Sequence, residues 1–291
     1  MTDDDQSLNT LNTQLRAFQQ RAQLEQIQLD AHSWTCYTLG NPDDEALLIL
    51  AGGGADAEVI FQYITHLSRH FYVIAPNLPP TLNTLSEALD GLRALLAHHQ
   101  RQQAVVVGLA FGAMLAQAYI RRFQDSVTDL IITHSWIPSQ HLAEAMAMQQ
   151  QLLQLTPEPL LLWRNRRAYQ RDIASSSTPA DPATRRFWQD YFEQHYSERI
   201  RKAHLLSRAR LMAEYHAENE FNSRDLLHWH GDLLLIESDA DQVISEGDRG
   251  SLKAMYNRAY IQTLYGYDHL APLLAANELS QSIINFLLKE T

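Results

Sequence analysis

Three segments of this chain combine chemically capable residues with positions directly after strand-like runs, where open α/β sheets place ligands and catalytic groups. The first is Val107-Gly108-Leu109-Ala110-Phe111-Gly112-Ala113. Gly108 and Gly112 bracket Ala110, so a strand can turn sharply into a helix and hold the middle residue in a strained conformation. This is the frame of G-x-S-x-G, the nucleophile elbow, with alanine where serine belongs. The second is Leu50-Ala51-Gly52-Gly53-Gly54-Ala55-Asp56. Its glycines can turn backbone N–H groups toward a developing negative charge, or simply form a tight turn. A phosphate loop is disfavoured because no Gly-Lys-Ser/Thr follows. The third has two pieces, Ile236-Glu237-Ser238-Asp239-Ala240-Asp241-Gln242-Val243-Ile244 and Tyr265-Gly266-Tyr267-Asp268-His269-Leu270. They supply an acid and then a histidine, completing the chain order nucleophile position, acid, base.

His269 is therefore the candidate base and Asp241 the preferred acid, with Asp239 and Asp268 as rivals. Asp268 adjoins His269, and neighbouring side chains on an extended chain point apart. The sequence gives no comparable placement to the other histidines among the 13. His228-Trp229-His230 has a metal-like i,i+2 spacing but no nearby third ligand, so it reads as structural or surface, and no metal is assigned.

The elements that must position these residues follow from periodicity. Leu47-Leu48-Ile49-Leu50, Phe71-Tyr72-Val73-Ile74, Val105-Val106-Val107, Leu130-Ile131-Ile132 and Leu233-Leu234-Leu235-Ile236 are apolar throughout, as strands buried on both faces of a parallel sheet are. Ile261 to Tyr265 is a last strand. Ile27, Leu29, Trp34, Cys36 and Tyr37 lie on either side of Asp30-Ala31-His32 and predict an antiparallel pair. Helical stripes run between the strands, notably Leu82, Leu85, Leu89, Leu92, Leu95 and Leu96, and from Ala113 to Tyr119. The alternation predicts a doubly wound α/β sheet.

Two regions depart from it. Leu8, Leu11, Leu15, Phe18 and Ala22 predict an amphipathic N-terminal helix over 1–25 that packs on the core or on a partner. Residues 138–225 carry helical patterns broken at Pro157-Glu158-Pro159 and at 175–182, and predict a helical cap inserted in a core of 26–137 and 226–291. Phe187, Trp188, Tyr191, Phe192, His195 and Tyr196 share a face there, a pattern more typical of core than of a pocket, although some can roof a cavity.

The 291 residues carry 34 acidic against 23 Lys and Arg side chains, a formal charge of −11, which disfavours nucleic acid and anionic membrane surfaces. The acidic start lacks a leader's basic residues, and no apolar run is long enough to span a bilayer. A cytoplasmic protein without membrane insertion is expected. The single cysteine, Cys36, rules out an internal disulfide and lies in an early strand, away from position 110.

With these motifs the chain resembles the α/β-hydrolase superfamily over nearly its whole length. Within it the chain is similar to the maspardin-like branch, on Leu24 to Tyr37, Ala57-Glu58-Val59-Ile60-Phe61, Asp90-Gly91-Leu92-Arg93-Ala94-Leu95-Leu96, Leu115-Ala116-Gln117 and Asp241-Gln242. The resemblance implies a mostly parallel eight-stranded sheet flanked by helices, with the helical cap over the pocket. It implies Ala110 at the nucleophile position, Asp241 and His269 as acid and base, an oxyanion hole from Gly53, Gly54 and the Phe111 N–H, Gly108 and Gly112 as the elbow frame, and no cofactor.

Alanine at 110 leaves three readings. A methyl group cannot attack an acyl carbon, so the first is a non-hydrolytic binding or regulatory module. Its ligand would be a small, partly hydrophobic molecule or a protein partner, and the maspardin-like branch is associated with protein binding. The second is an esterase-like serine hydrolase, acting on carboxylic esters or similar acyl groups, that carries an engineered Ser-to-Ala change. The third is a His269–Asp241 dyad acting as general base without a nucleophile, as in lyase-like or cofactor-independent oxygenase members.

Overall fold

The computed structural model describes residues 3–52, 56–218 and 221–289. Its centre is an eight-stranded sheet built from β1 (Gln23–Leu29), β2 (His32–Leu39), β3 (Ala46–Leu50), β4 (Tyr72–Asn77), β5 (Ala104–Leu109), β6 (Val127–Thr133), β7 (Leu233–Ser238) and β8 (Tyr260–Leu264). The order across the sheet is β1-β2-β4-β3-β5-β6-β7-β8. β2 runs antiparallel to both β1 and β4, and the remaining pairs are parallel. The chain leaves β3 to one side for β4 and returns across it to β5. Their carboxyl ends therefore diverge at a topological switch point, and the crevice there is where such sheets bind ligands.

Burial explains the strand sequences. All residues of β3, β5 and β7 are buried, because helices cover both faces of the sheet. Alternation still sorts them: Leu47 and Ile49 point into one apolar layer, and Leu48 and Leu50 into the other. The first layer is completed by α1 (Asp3–Arg21), α2 (Phe61–Leu67) and α11 (Ala276–Leu288), and the second by α3 (Leu85–His98), α4 (Phe111–Arg122) and α9 (Glu246–Met255). α10 (Ala271–Leu274) is a single turn leading into α11.

The N-terminal helix packs on this core through Leu11, Leu15 and Phe18, whose ring lies 5.3 Å from that of Tyr37 and 6.2 Å from that of Phe61. It ends at Arg21, and β1 starts at Gln23, earlier than the period-two pattern from Gln26 suggests. The cause is that Gln23 to Gln26 pair with Thr35 to Thr38 through backbone groups, which side-chain alternation does not report.

Between β6 and β7 lie α5 (Gln140–Leu155), α6 (Glu158–Ser175), α7 (Pro182–Arg199) and α8 (Lys202–Glu218). Pro157 and Asp181 are the N-caps of α6 and α7, so the proline-containing breaks fall where the sequence puts them. These helices are not merely laid over the sheet. Leu211 and Tyr215 of α8 are buried in the layer of α3 and α4, and the Tyr215 hydroxyl donates to the Trp136 carbonyl at 2.9 Å. Among the described residues no helix is long and apolar enough to cross a membrane.

Candidate active site at the carboxyl ends of the strands

Ala110 stands between β5 and α4 with φ 49° and ψ −110°. An L-residue meets steric resistance there, at a cost of about 1–3 kcal/mol. The surroundings impose it. The Ala110 N–H donates to the Thr133 carbonyl at 2.9 Å, and the Ala110 carbonyl accepts from Ala113 N at 2.9 Å. A Cβ on Gly108 would lie 2.4 Å from the Ala113 Cα, and one on Gly112 would lie 2.1 Å from the Leu50 carbonyl oxygen. The two glycines thus let α4 approach β5 and β3 closely, which fixes where residue 110 emerges. Gly52 packs from the β3 side: a Cβ on it would come 3.3 Å from the Ala110 Cβ. Phe111 begins α4, so its N–H has no acceptor a turn earlier in the helix. Gly53 and Gly54 lie outside the described residues.

On the far side, His269 follows β8, and its Nδ1 donates to Asp241 Oδ2 at 2.9 Å. The other oxygen, Oδ1, accepts from Val243 N at 2.8 Å and Ile244 N at 2.9 Å. Burial pushes the Asp241 carboxyl up, but the His269 hydrogen bond and charge and the Ile244 N–H outweigh it, so its pKa lies below the ordinary value. Arg249 braces this loop by donating to the Ile244 carbonyl at 2.7 Å and more loosely to the Asp239 and Asp241 carbonyls. With Nδ1 engaged, the neutral imidazole keeps Nε2 as its basic nitrogen.

The rival acids have other partners. Asp239 Oδ1 accepts from Gly266 N at 2.6 Å. Asp268 accepts from the Ser176 and Thr178 hydroxyls at 2.8 Å each, from Ser177 N at 2.8 Å and from Leu270 N at 3.0 Å. It therefore ties the loop between α6 and α7 to the end of the sheet.

Ala110 and His269 line one pocket of about 180 Å³. Val59, Ile60, Leu109, Leu270 and Leu273 make its walls apolar, and Tyr169 of α6 and Phe192 of α7 close it from the inserted helices. Phe192 serves twice: it is buried in the core and stacks on Tyr169 with ring centroids 4.6 Å apart. Phe187, Trp188, Tyr191 and Tyr196 are buried core residues, whereas His195 is partly exposed beside Glu198. Cys36 is buried in β2, three strands away from β5, and burial pushes its thiol pKa far up. Trp229, between the paired histidines, donates its indole N–H to the Val127 carbonyl at 2.7 Å.

One histidine escaped the sequence reading. His134 follows β6 directly, with φ 49°, and its ring centroid is 6.0 Å from that of His269. Nε2 lies 2.7 Å from Ser238 Oγ, while Nδ1 is buried with no partner among the described residues. Burial first, and the His269 charge second, lower its pKa to about 3, so the ring stays neutral. Its position at the carboxyl end of a predicted strand was the available signal.

Comparison with known proteins bears on the fold. Curated protein sequences give no match. Among solved structures the chain is similar to a thioesterase domain from the curacin biosynthetic pathway, with 15% identity, TM-score 0.66, and coverage of 90% of this chain and 99% of that one. A bacterial membrane phospholipase A shares 16% identity with TM-score 0.72 over 98% and 91% of the two chains. A thermophilic esterase from Thermogutta terrifontis shares 18% identity with TM-score 0.71 over 92% and 99%. At such identities the likeness speaks for the fold alone. The sequence profile that matches residues 47–281, and so spans both halves of the sheet, is that of the Alpha/beta hydrolase family, to which this chain belongs.

Proposed function

We propose that this protein is a non-hydrolytic α/β-hydrolase-fold member, a binding or regulatory module of the maspardin-like kind that acts in the cytoplasm without a cofactor. The pocket over Ala110 and His269 takes a small, partly hydrophobic ligand, with residues 138–225 as its cap. One observation carries the reading: the residue held at φ 49° and ψ −110° between β5 and α4 ends in a methyl group. Serine at that position would attack and histidine would take its proton, and losing such a nucleophile alone costs on the order of 10⁶ in rate in a well-studied protease. Binding needs neither step. The apolar walls contribute through burial, and the Phe111 N–H offers a donor to a carbonyl or carboxylate.

A second reading has its own support. The His269–Asp241 bond of 2.9 Å and the strained backbone at Ala110 are what a serine ester hydrolase needs, and a binding module has no evident use for that strain. On this reading Ala110 replaces a natural serine. The deciding experiment is Ala110→Ser, assayed on p-nitrophenyl acetate and butyrate with active-site titration. The binding reading expects the variant to stay at the background of the unaltered chain. A stoichiometric burst followed by turnover that His269→Ala abolishes would overturn it in favour of the hydrolase.

A further inference from the structure

A second cavity, of about 400 Å³, lies next to the pocket over Ala110, and Ala51 and Gly52 line both. Its floor is apolar, from Leu50, Phe111 and Leu115. Arg199, His204 and Arg208 come from the end of α7 and from α8, and Gln26, Ser33 and Asn77 come from the sheet side. The chain as a whole is strongly acidic, so a cavity lined by two arginines and a histidine runs against its composition.

The two arginines differ. Arg199 donates to Asp56 Oδ2 at 2.8 Å and to Glu58 Oε2 at 3.0 Å, so its charge is answered within the protein. Asp56, the carboxylate that lines the cavity, is thereby taken. Arg208 has a buried Nη1 with no hydrogen-bond partner among the described residues. No carboxylate among the described residues forms an ion pair with Arg208, so this half-buried cation lining the cavity keeps an unanswered charge, which an anion entering the cavity would answer best. His204 precedes Arg208 by one helical turn and shares its face. The His204 Nδ1 accepts from Arg201 N at 3.1 Å, which leaves Nε2–H as that ring's donor. The Ser207 hydroxyl donates to the Leu82 carbonyl at 3.0 Å and pins this stretch of α8 over the core.

We infer that this second cavity is the anion end of a two-part ligand site: it takes the carboxylate of a small organic acid on Arg208, and the acid's apolar body passes Gly52 into the pocket over Ala110 and His269. The inference names the ligand class for the proposed binding pocket and rests on that reading only for where the apolar body lies. The volumes suit it, since the combined space falls within the range of small-molecule sites, apolar on one side with few polar groups on the other.

The test is isothermal titration calorimetry of the full chain with 4-phenylbutyrate, its neutral amide 4-phenylbutyramide, and inorganic phosphate. The expected result is saturable binding of 4-phenylbutyrate at least about tenfold tighter than of the amide, the scale of one charge-assisted hydrogen bond. Arg208→Gln should bring the acid down to the amide's affinity and leave the amide's unchanged, and Arg208→Lys should recover part of the loss. No binding of 4-phenylbutyrate, equal affinities for acid and amide, or full affinity in Arg208→Gln would overturn the inference. Phosphate binding as tightly as 4-phenylbutyrate would overturn the two-part site. Should Arg208→Gln not fold, the acid and amide on the unaltered chain still decide. Hydrolysis regained in Ala110→Ser would count against the binding function, whereas the Arg208 dependence of affinity tests the anion site, so the two failures are distinguishable.

Discussion

Arg199→Met removes the cation from a network that joins three parts of the fold. Arg199, at the end of α7, reaches Asp56 and Glu58, which follow Gly52-Gly53-Gly54 in the sequence. Glu58 is only 2% exposed, and it also accepts from the Tyr191 hydroxyl at 2.9 Å and from Gln19 Nε2 of α1 at 3.1 Å. Without the guanidinium, Glu58 keeps two neutral donors but loses its counter-charge. Removing one partner of a buried pair costs about 3–5 kcal/mol. Because the Arg199 side chain is 30% exposed and water reaches it from the cavity, the low end, about 3 kcal/mol, is expected. The loss should depend on pH. Burial already pushes the Asp56 carboxyl up, with Arg199 acting against it, and removing Arg199 raises it further. An acid with a raised folded-state pKa gives its full stability below the unfolded value and loses it as pH rises through the folded one. The deficit should therefore be smallest near pH 4 and grow toward pH 7.5. Urea unfolding followed by fluorescence, at constant m, measures it at both pH values, and Glu58→Gln in the Arg199→Met background should recover part of the loss. A deficit below about 1 kcal/mol at pH 7.5, or the same deficit at both pH values, would refute the account.

Gly112→Ala must separate α4 from β3, because its Cβ would sit 2.1 Å from the Leu50 carbonyl oxygen; a loss of about 3 kcal/mol or more is expected by thermal unfolding. Asp241→Asn should cost about 1–2 kcal/mol at neutral pH and change the His269 Nδ1–H resonance in NMR spectra. Burial raises the Asp241 pKa and the His269 contacts more than reverse it, so this stability is present above the unfolded pKa and lost as pH falls through the folded one. Once the pH has fallen below the depressed folded-state pKa of Asp241, the gap between variant and parent should close. Phe18→Ala empties a site between the Tyr37 and Phe61 rings and should cost about 3–5 kcal/mol, with amide exchange accelerating first in α1.

Much of the fold was legible because strands such as Leu47 to Leu50 are buried on both faces, and a run without polar residues records that directly. Ala110, Asp241 and His269 were legible because each follows a strand, where this kind of sheet collects its functional groups. The reading was thinner wherever a residue's meaning depends on a distant partner. Nothing in Thr133-His134-Ser135 announces that the ring will pack 6.0 Å from His269, since β6 and β8 meet the site from different stretches of chain. The inserted helices read as a cap from proline breaks and helical stripes, but that Leu211 and Tyr215 dive into the core beside α3 and α4 follows from packing.

Local chemistry in the sequence was enough for the alternation of strand and helix, the glycine frame around residue 110, the absence of a hydroxyl there, and the order of acid and base. These depend on side-chain volume, backbone freedom and burial period, all properties of neighbouring residues. Tertiary structure brought Asp241 against His269 and gave Asp239 and Asp268 other donors, and it set one cavity beside another at Gly52. It also left the Arg208 Nη1 without an acceptor among the described residues while Arg199 found two. Hydrogen bonds and cavities are made between segments far apart in the chain, so their partners are fixed only when the sheet and helices close around them.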